Sequence, residues 1–352
     1  MAVPATMKRL VLTTPDEDMS KVVLSVEEVP VPKPRSGELL IKVAAAPINP
    51  SDYGVWRNTT PERCPLAIGN EGSGVVVASG GGSARIVAGV GTKVGFVNLP
   101  KGQGAYSEYV TVSAMTGTFP LPADLEVESA ASFFVNPYTV FGILDTVQQR
   151  GATGLVHTAA ASQVGQMLVK LAKQRGVTLL NVVRRADQAA TLRALGAEYI
   201  VDTSSDGWPQ ELSTLIATHK VTIAFDAIAG DMTGTLLALL PNGGTCFVYG
   251  GLSRLPVGNV APLELIYKRK EVKGWLLTNW LKGDGHLRIL KRLRDARLTV
   301  NPGFKPGGWA ETRFVDCTLD DVWSTFLPMY NTSGFTDAKL RVRFDGGGAD
   351  AV

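Results

Sequence analysis

Hydrophobic residues are spaced in two different patterns along this chain, and the pattern changes near residue 129. Up to residue 128, short apolar or alternating runs are separated by proline and glycine, which predicts a β-rich domain. From residue 154 to about 277, apolar runs of strand length alternate with stretches of helical spacing. This alternation is typical of an α/β domain with a doubly wound parallel sheet.

The same pattern predicts where the elements lie. The first part contains predicted strands at 10–13, 24–29, 38–45, 74–78, 91–97 and 105–112. The second part contains predicted strands at 154–158, 178–183, 199–202, 222–226, 244–249 and 271–277, with helices that include 209–219 and 232–240. The irregular tail after residue 300 ends in a predicted strand at 339–344. We therefore predict a substrate domain at 1–128, completed by 305–352, and a nucleotide-binding domain at 129–304.

Small residues connect the strand at 154–158 to the amphipathic helix that follows it. Ala160, Ser162 and Gly165 stand at the spacing of the glycines in G-x-G-x-x-G. Small side chains let the backbone approach a pyrophosphate, and the helix N-terminus offers it unpaired N–H groups. The turn is a candidate dinucleotide site, although such turns are also typical of plain close packing.

The residue type at the end of the next strand indicates whether a site of this kind prefers NAD or NADP. An NAD site normally has Asp or Glu there, which binds the ribose 2′-hydroxyl. This chain has Arg184 and Arg185. Two guanidinium groups suit a 2′-phosphate through charge-assisted, bidentate hydrogen bonds, which favours NADPH. The alternative interpretation is the basic start of a solvated helix.

Composition excludes several classes of partner. The net charge of +3 is spread along 352 residues without a long basic run, so no nucleic-acid partner is expected. The three cysteines are far apart and odd in number, which fits a reducing compartment. No apolar signal core and no apolar run of about 18 residues is present, so no membrane partner is expected. We expect a cytoplasmic protein, or a mitochondrial one if a presequence has been removed.

Six motifs in order resemble the medium-chain dehydrogenase/reductase superfamily, in its zinc-free branch of quinone oxidoreductases and enoyl-thioester reductases. They are AAPINPSD at 45–52, GNEGSG at 69–74, VNPYT at 135–139, NVVRR at 181–185, VYGGLS at 248–253 and KGWLLTNW at 273–280. The resemblance covers nearly the whole chain. It implies a Rossmann NADPH-binding domain, a β-rich GroES-like domain, and a homodimer formed at the edge strand 271–277.

The resemblance also implies which residues bind the cofactor. Glycines after the strand at 244–249 would let the backbone approach the nicotinamide, and a lysine near the C-terminus would add charge near a phosphate. The implied residues are Asn136, Ala161, Ser162, Gln163, Val164, Gly165, Arg184, Arg185, Tyr249, Gly250, Gly251, Leu252, Trp275, Leu276, Leu277 and Lys339. Without the resemblance, the alternative for Asn136 is an Asn-Pro turn or a helix cap, and the alternative for Lys339 is an ordinary strand-edge lysine.

The zinc positions of the superfamily can be examined by residue type. Zinc members use Cys and His where this chain has Asn49 and Asn70, and an amide is a poor zinc ligand. We therefore expect no catalytic metal and an acceptor that is already electron-poor. Asn49 and Tyr53, which follows the NPSD motif, are the candidate catalytic residues. Tyr53 would hydrogen-bond a substrate carbonyl, or it is simply a packing tyrosine.

The substrate is less well defined. Enoyl-thioester reductases of the family carry a tyrosine about eight residues after NPSD, where this chain has Thr59 and Thr60. Trp56 and Trp280 are candidates for the walls of a substrate cleft, or are core or dimer-interface aromatics. We expect a zinc-independent NADPH oxidoreductase acting on a small molecule, either a quinone or an α,β-unsaturated carbonyl compound. The alternatives are an enoyl-thioester (CoA or ACP) reductase and an NADPH-binding sensor or structural protein.

Overall fold

The chain forms two compact units in a computed structural model that describes residues 3–97, 99–283, 286–332 and 338–344. The first unit is Met1–Val135 with Phe304–Val352, and the second is Asn136–Gly303. Residues 333–337, just before Lys339, and the last residues, 345–352, lie outside the described part.

The described strands carry the labels β1 to β16 in chain order. They are β1 Thr6–Thr14, β2 Val23–Pro30, β3 Glu38–Pro47, β4 Leu66–Ala67, β5 Glu71–Ser79, β6 Lys93–Val97, β7 Tyr109–Ser113, β8 Thr118–Pro120, β9 Gly154–His157, β10 Thr178–Val183, β11 Tyr199–Asp202, β12 Ile223–Asp226, β13 Thr245–Val248, β14 Glu271–Gly274, β15 Phe314–Cys317 and β16 Lys339–Arg343.

The described α-helices carry the labels α1 to α12. They are α1 Pro50–Asn58, α2 Ala84–Val87, α3 Ala114–Gly117, α4 Val135–Gln149, α5 Gln163–Arg175, α6 Ala186–Ala194, α7 Trp208–Thr218, α8 Asp231–Leu239, α9 Pro262–Ile266, α10 Leu277–Lys282, α11 His286–Gly303 and α12 Val322–Asn331. Short 3-10 helices occur at Met19–Lys21, Pro61–Arg63 and Val127–Ala130.

The first unit is built around β3. The larger of its two sheets runs β15-β16-β3-β5-β6-β8, with β7 also paired to β3, and the smaller runs β2-β1-β4. β16 pairs antiparallel with β3, with Val342 opposite Ala46. The end of the chain therefore completes the sheet of the first unit. Trp56, Phe96 and Ile41 are among the residues of its core.

The second unit is a single parallel sheet in the order β11-β10-β9-β12-β13-β14. This is the doubly wound Rossmann order, in which the direction of winding changes between β9 and β12. Ligands of such sheets bind outside the carboxyl ends of the strands at that change of direction. The predicted fold class, a Rossmann sheet plus a β-rich GroES-like domain, is confirmed, and β14 lies at a sheet edge as expected.

Three predicted elements differ from the structure. The strand predicted at 271–277 stops at Gly274, and Leu277 begins α10, because Leu277, Trp280 and Leu281 are buried at helical spacing. The strand predicted at 105–112 begins only at Tyr109. The tail, which looked irregular in sequence, contains β15 and α12 before the final strand.

Candidate functional site

The turn after β9 brings backbone close to backbone. Ala159 adopts a positive φ of 49°, and the N–H of Ala160 donates to the carbonyl oxygen of Val182 at 3.2 Å. Ser162 caps α5, and its hydroxyl accepts from the N–H of Gly165 at 3.2 Å. A Cβ at Gly165 would lie 2.0 Å from the oxygen of Ala160. Only glycine fits there, so the helix N-terminus is held directly behind the strand end.

Two arginines stand beside this turn, at the carboxyl end of β10. Arg184 is exposed, and Arg185 is the N-cap residue of α6. The guanidinium of Arg185 lies 3.1 Å from the carboxylate of Asp187, and this hydrogen bond lowers the pKa of that carboxyl group. β9 and β10 are parallel neighbours, so the arginines and the turn lie at the same edge of the sheet.

A buried acid shapes the neighbouring loop after β12. Oδ1 of Asp226 accepts from the hydroxyl of Thr158 at 2.8 Å and from the N–H of Ile228 at 2.9 Å. Oδ2 accepts from the N–H of Ala229 at 3.1 Å and from the hydroxyl of Thr233 at 2.7 Å. With four donors in place, this carboxylate has a structural role and holds the loop at the change of winding direction.

The segment after β13 packs on that loop through a glycine. A Cβ at Gly250 would lie 2.7 Å from the carbonyl oxygen of Ala227, whereas Gly251 has nothing within 4 Å of that position. The N–H of Leu252 donates to the same oxygen of Ala227 at 3.0 Å. Tyr249, Gly250 and Gly251 are therefore held at the carboxyl end of the sheet, where a dinucleotide binds in this type of fold.

A second polar group lies in the first unit, at the start of α1. Asn49 is the N-cap residue, and its N–H donates to Oδ2 of Asp52 at 2.7 Å. Its side-chain Nδ2 donates to Glu71 at 3.0 Å, while its Oδ1 accepts from Nζ of Lys339 at 2.5 Å. Asn70 donates to Oδ1 of Asp52 at 2.7 Å. We call these five residues the buried polar cluster; four of them are buried, and Asn70 lies at its exposed side.

Burial dominates the electrostatics of this cluster. It raises the pKa of Asp52 to about 7 and raises the pKa of Glu71, while it lowers the pKa of Lys339. Two charges oppose these shifts: the charge of Lys339 lowers the pKa of Glu71, and the charge of Glu71 raises the pKa of Lys339. Glu71 also accepts from the N–H groups of Phe134 at 2.9 Å and Val135 at 2.8 Å, so its carboxylate is well supplied with donors.

The residues of this cluster do not fit a zinc ion. The two positions that carry ligands in zinc-dependent members hold amides, and both amides are already bonded inside the cluster. The amino group of Lys339 donates to Oδ1 of Asn49 and so occupies the position where a cation would have to bind. Within the residues that the structure describes, no group of three His, Cys, Asp or Glu side chains is arranged to hold a metal.

The chain resembles known proteins along most of its length. Residues 35–123 match the family described as alcohol dehydrogenase GroES-like domain, and residues 164–291 match zinc-binding dehydrogenase. The mitochondrial enoyl-[acyl-carrier-protein] reductase of Xenopus tropicalis is 30% identical over 283 residues, which covers 78% of this chain and 79% of that protein. The chain belongs to the medium-chain dehydrogenase/reductase superfamily. Its place is in the branch of quinone oxidoreductases and enoyl reductases, as the motifs predicted.

Solved structures of the superfamily share the fold. A protein assigned as an NADPH:quinone reductase from Mesorhizobium loti has a TM-score of 0.83 at 26% identity and covers 98% of this chain and 100% of its own. The quinone oxidoreductase of Escherichia coli, solved with NADPH, has a TM-score of 0.78 at 20% identity, covering 96% of this chain and 100% of its own. The chain is therefore an oxidoreductase of this superfamily.

Several residues predicted from the superfamily pattern lie together at the carboxyl end of the second unit's sheet. The turn 161–165 follows β9, Arg184 and Arg185 follow β10, and 249–252 follow β13. Trp275 follows β14, where its indole N–H donates to Thr146 at 3.1 Å. Leu276 is exposed and Leu277 is buried in α10. Asn136 is buried in the first turn of α4.

Of the two interpretations given for Trp56 and Trp280, cleft walls or packing aromatics, the structure favours packing. Trp56 is 0% exposed and packs on Phe326 at 5.1 Å, so it is a core residue of the first unit with no surface to offer a substrate. Trp280 is 8% exposed, and its indole N–H donates to Asp145 at 2.8 Å. This tryptophan is therefore also mainly a packing residue.

The two candidate catalytic residues have different surroundings. Tyr53 is half-buried and packs against Phe326 and Tyr330, with ring centroids 5.8 and 5.5 Å away. Both polar atoms of the Asn49 side chain are used inside the buried polar cluster, so its position favours holding the cluster together. Lys339 is 5% exposed and belongs to the same cluster.

Sequence reasoning did not assign Asp52 and Glu71, although both lie inside motifs that it used. Neither residue carries a local signal for burial, because each stands among polar or small neighbours in the sequence. The contact of Lys339 with Asn49 spans 290 residues, so only the pairing of β16 with β3 brings the cluster together. Among the described residues, no helix has the length and apolar character needed to cross a bilayer.

Proposed function

We propose that this protein is an NADPH-dependent, zinc-independent oxidoreductase that reduces a quinone or the double bond of an α,β-unsaturated carbonyl compound. The observation that carries the proposal is the pair Arg184 and Arg185 at the carboxyl end of β10, beside a glycine-tight turn and a helix N-terminus. A solved protein of the same fold contains NADPH. When bound, the nicotinamide supplies the hydride.

Different residues of the second unit would bind different parts of the cofactor. The N-terminus of α5 offers N–H groups to the pyrophosphate, since Gly165 lets the helix start directly behind the strand. Arg184 and Arg185 would bind the 2′-phosphate, for which Arg185 would leave or share its contact with Asp187. Asn136, Tyr249–Leu252 and Trp275–Leu277 complete the proposed contacts of this unit by family resemblance. Lys339, which the resemblance also implies, belongs to the first unit, where it contacts Asn49.

The first unit bears on the choice of substrate. The amides of Asn49 and Asn70 are bonded within the buried polar cluster, so these residues offer no ligand set for a metal that would polarise a carbonyl. The acceptor must therefore be electron-poor by itself, as quinones and conjugated carbonyls are. Tyr53 remains our proposal for the group that hydrogen-bonds the substrate oxygen, with water as the alternative proton source.

The second candidate function is reduction of an enoyl thioester. It is favoured by the similarity to the enoyl-[acyl-carrier-protein] reductase of Xenopus tropicalis. Against it, Thr59 and Thr60 stand where such enzymes of the family carry a tyrosine. Oxidation of NADPH in the presence of a 1,4-quinone, an enone or crotonyl-CoA separates the two activities. Binding of NADPH without turnover of any acceptor would instead indicate a sensor or structural protein.

The cofactor assignment is tested by the affinity for NADPH and NADH in Arg184→Ala and Arg185→Ala variants. Each lost charged contact should weaken NADPH by about 1.5–3 kcal/mol and leave NADH almost unchanged. Arg193→Ala is a matched control, because Arg193 is an exposed arginine near the other end of α6. Equal losses for NADPH and NADH would contradict the assignment of the 2′-phosphate to the arginine pair.

We also propose that the partner is a second copy of the chain, bound at β14. This strand lies at the sheet edge, and the preceding helix α9 exposes Leu263 and Ile266, followed by Tyr267 at 77% exposure. An unpaired strand edge beside exposed apolar side chains fits pairing with an identical edge. Light scattering should give a dimer mass for the protein and a monomer mass for Ile266→Asp. A monomeric wild-type protein would contradict this.

A further inference from the structure

A histidine and a tyrosine meet across the change of winding direction in the second unit. His157 is the last residue of β9, and Tyr249 directly follows β13, while β12 lies between these two strands. Nε2 of His157 lies 2.7 Å from the hydroxyl of Tyr249, and the two rings stack with centroids 5.8 Å apart. The contact therefore spans the place where this type of sheet binds its ligands.

The histidine is uncharged in this position. Its side chain is fully buried, and burial alone lowers the pKa of His157 to about 3. Burial also raises the pKa of the Tyr249 hydroxyl, so the phenol keeps its proton. The hydrogen bond thus joins a neutral imidazole and a neutral phenol, and only one of the two can donate to the other.

The second ring nitrogen of His157 decides which group donates. Nδ1 is buried and has no hydrogen-bond partner among the described residues. If Nδ1 carried the proton, its buried N–H would have no acceptor. Buried donors without an acceptor are rarer in proteins than buried acceptors without a donor. The proton therefore belongs on Nε2, which donates to the oxygen of Tyr249. The O–H of Tyr249 is then left to donate elsewhere.

We propose that His157 is a positioning residue that orients Tyr249 as a hydrogen-bond donor toward a carbonyl-type oxygen of the bound nicotinamide cofactor. This inference rests on the proposed function. Tyr249 is only partly buried and precedes Gly250 and Gly251, where the backbone is open to a close approach. Without His157, the phenol could rotate or accept a hydrogen bond instead, and it would no longer present its proton in one direction.

The tautomer can be measured directly in the free protein. The chain has three histidines, so selective 15N labelling gives three sets of imidazole signals. We expect the His157 signals, assigned by their loss in His157→Phe, to show a protonated Nε2 and an unprotonated Nδ1, with no titration above about pH 5. A protonated Nδ1, or titration near pH 6.5, would overturn the proposal. Should His157→Phe not fold, His219→Phe and His286→Phe assign the remaining signals.

The functional step is tested by a double-mutant cycle on NADPH affinity. His157→Phe and Tyr249→Phe should each weaken binding about tenfold, which is the scale of one hydrogen bond. The double variant should bind no more weakly than Tyr249→Phe alone, because His157 acts through the phenol. His157→Gln, whose amide N–H has a similar reach, should recover most of the affinity. Independent losses that multiply to about a hundredfold would overturn the proposal.

A matched pair in the same unit gives the control. His219 and Tyr199 also contact each other, with ring centroids 4.3 Å apart, but Tyr199 begins β11 and so lies at the amino end of the sheet. His219→Phe should leave NADPH affinity unchanged. If the wild-type protein binds no NADPH, the proposed function fails and the inference falls with it. If the wild type binds NADPH and His157→Phe binds equally well, only the inference fails.

Discussion

Replacing Lys339 by methionine tests whether the buried polar cluster is held together by charge. Lys339 is 5% exposed, and its ammonium contacts Asn49, which in turn donates to Glu71. Methionine keeps much of the side-chain volume but removes the positive charge. The carboxylate of Glu71 then remains buried without its cation. Lys339 is linked to Glu71 through Asn49 and not in a direct ion pair. We therefore expect the first unit to lose more than about 1 kcal/mol at pH 8, but less than the cost of about 3–5 kcal/mol for removing one partner of a direct buried pair.

The loss should depend on pH in a defined direction. Without the ammonium, the pKa of Glu71, already raised by burial, moves further up. A carboxyl group whose pKa is raised in the folded state holds its proton at low pH, where it is neutral and costs little. The destabilisation of Lys339→Met should therefore be largest at pH 8 and shrink toward pH 5.

Hydrogen exchange is the suitable assay, because the chain has two units and global unfolding does not report one equilibrium. Amides of β3 report the first unit, and those of β9 serve as an internal reference in the second. Arg343→Met is the matched control. Arg343 is on the same strand as Lys339 but is 46% exposed, with carboxylates at 3.5 and 3.8 Å, so its loss should cost under about 1 kcal/mol. If Lys339→Met costs no more than Arg343→Met, the cluster does not depend on this charge.

Three further predictions concern the two units. Because burial raises the pKa of Asp52 to about 7, the folded protein keeps a proton that the unfolded chain loses, so stability should fall from about pH 4 to pH 7, and Asp52→Asn should flatten this slope in hydrogen exchange. Tyr53→Phe should lower kcat about tenfold or more without changing NADPH affinity if the phenol assists the substrate oxygen, and an unchanged kcat would assign the proton to water. Gly165→Ala places a Cβ 2.0 Å from the oxygen of Ala160 and should lower both NADPH affinity and Tm, whereas Gly207→Ala, with open space around it, should change neither affinity nor Tm strongly.

Patterns within a few residues of one another predicted a large part of this protein. The strand 178–183, the small-residue turn at 159–165 and the arginine pair depend on local spacing, and the structure places them at one edge of a parallel sheet. Parallel strands joined by helices all end at the same edge, so chain order alone brings these residues near each other.

Side-chain burial and the choice between strand and helix were decided by packing. The WLL run at 275–277 suits either element, and the inward face of α10 selects helix. In sequence Trp56 could be either a cleft or a core aromatic, and the aromatic residues of α12 that cover it make it a core residue. A local pattern cannot show which surface a distant element will cover, and so the sequence did not decide between these alternatives.

The amino-acid sequence by itself determined the class of fold, the small-residue turn after β9 and the positive charge at the end of β10, because these depend on neighbours in the chain. Tertiary structure alone decided the two polar contacts on which our tests rest. Lys339 reaches Asn49 only because β16 joins β3, and His157 reaches Tyr249 only because β9 and β13 flank β12. Both contacts form between strands far apart in sequence, and their burial follows from the order of strands in a sheet, which no local spacing contains.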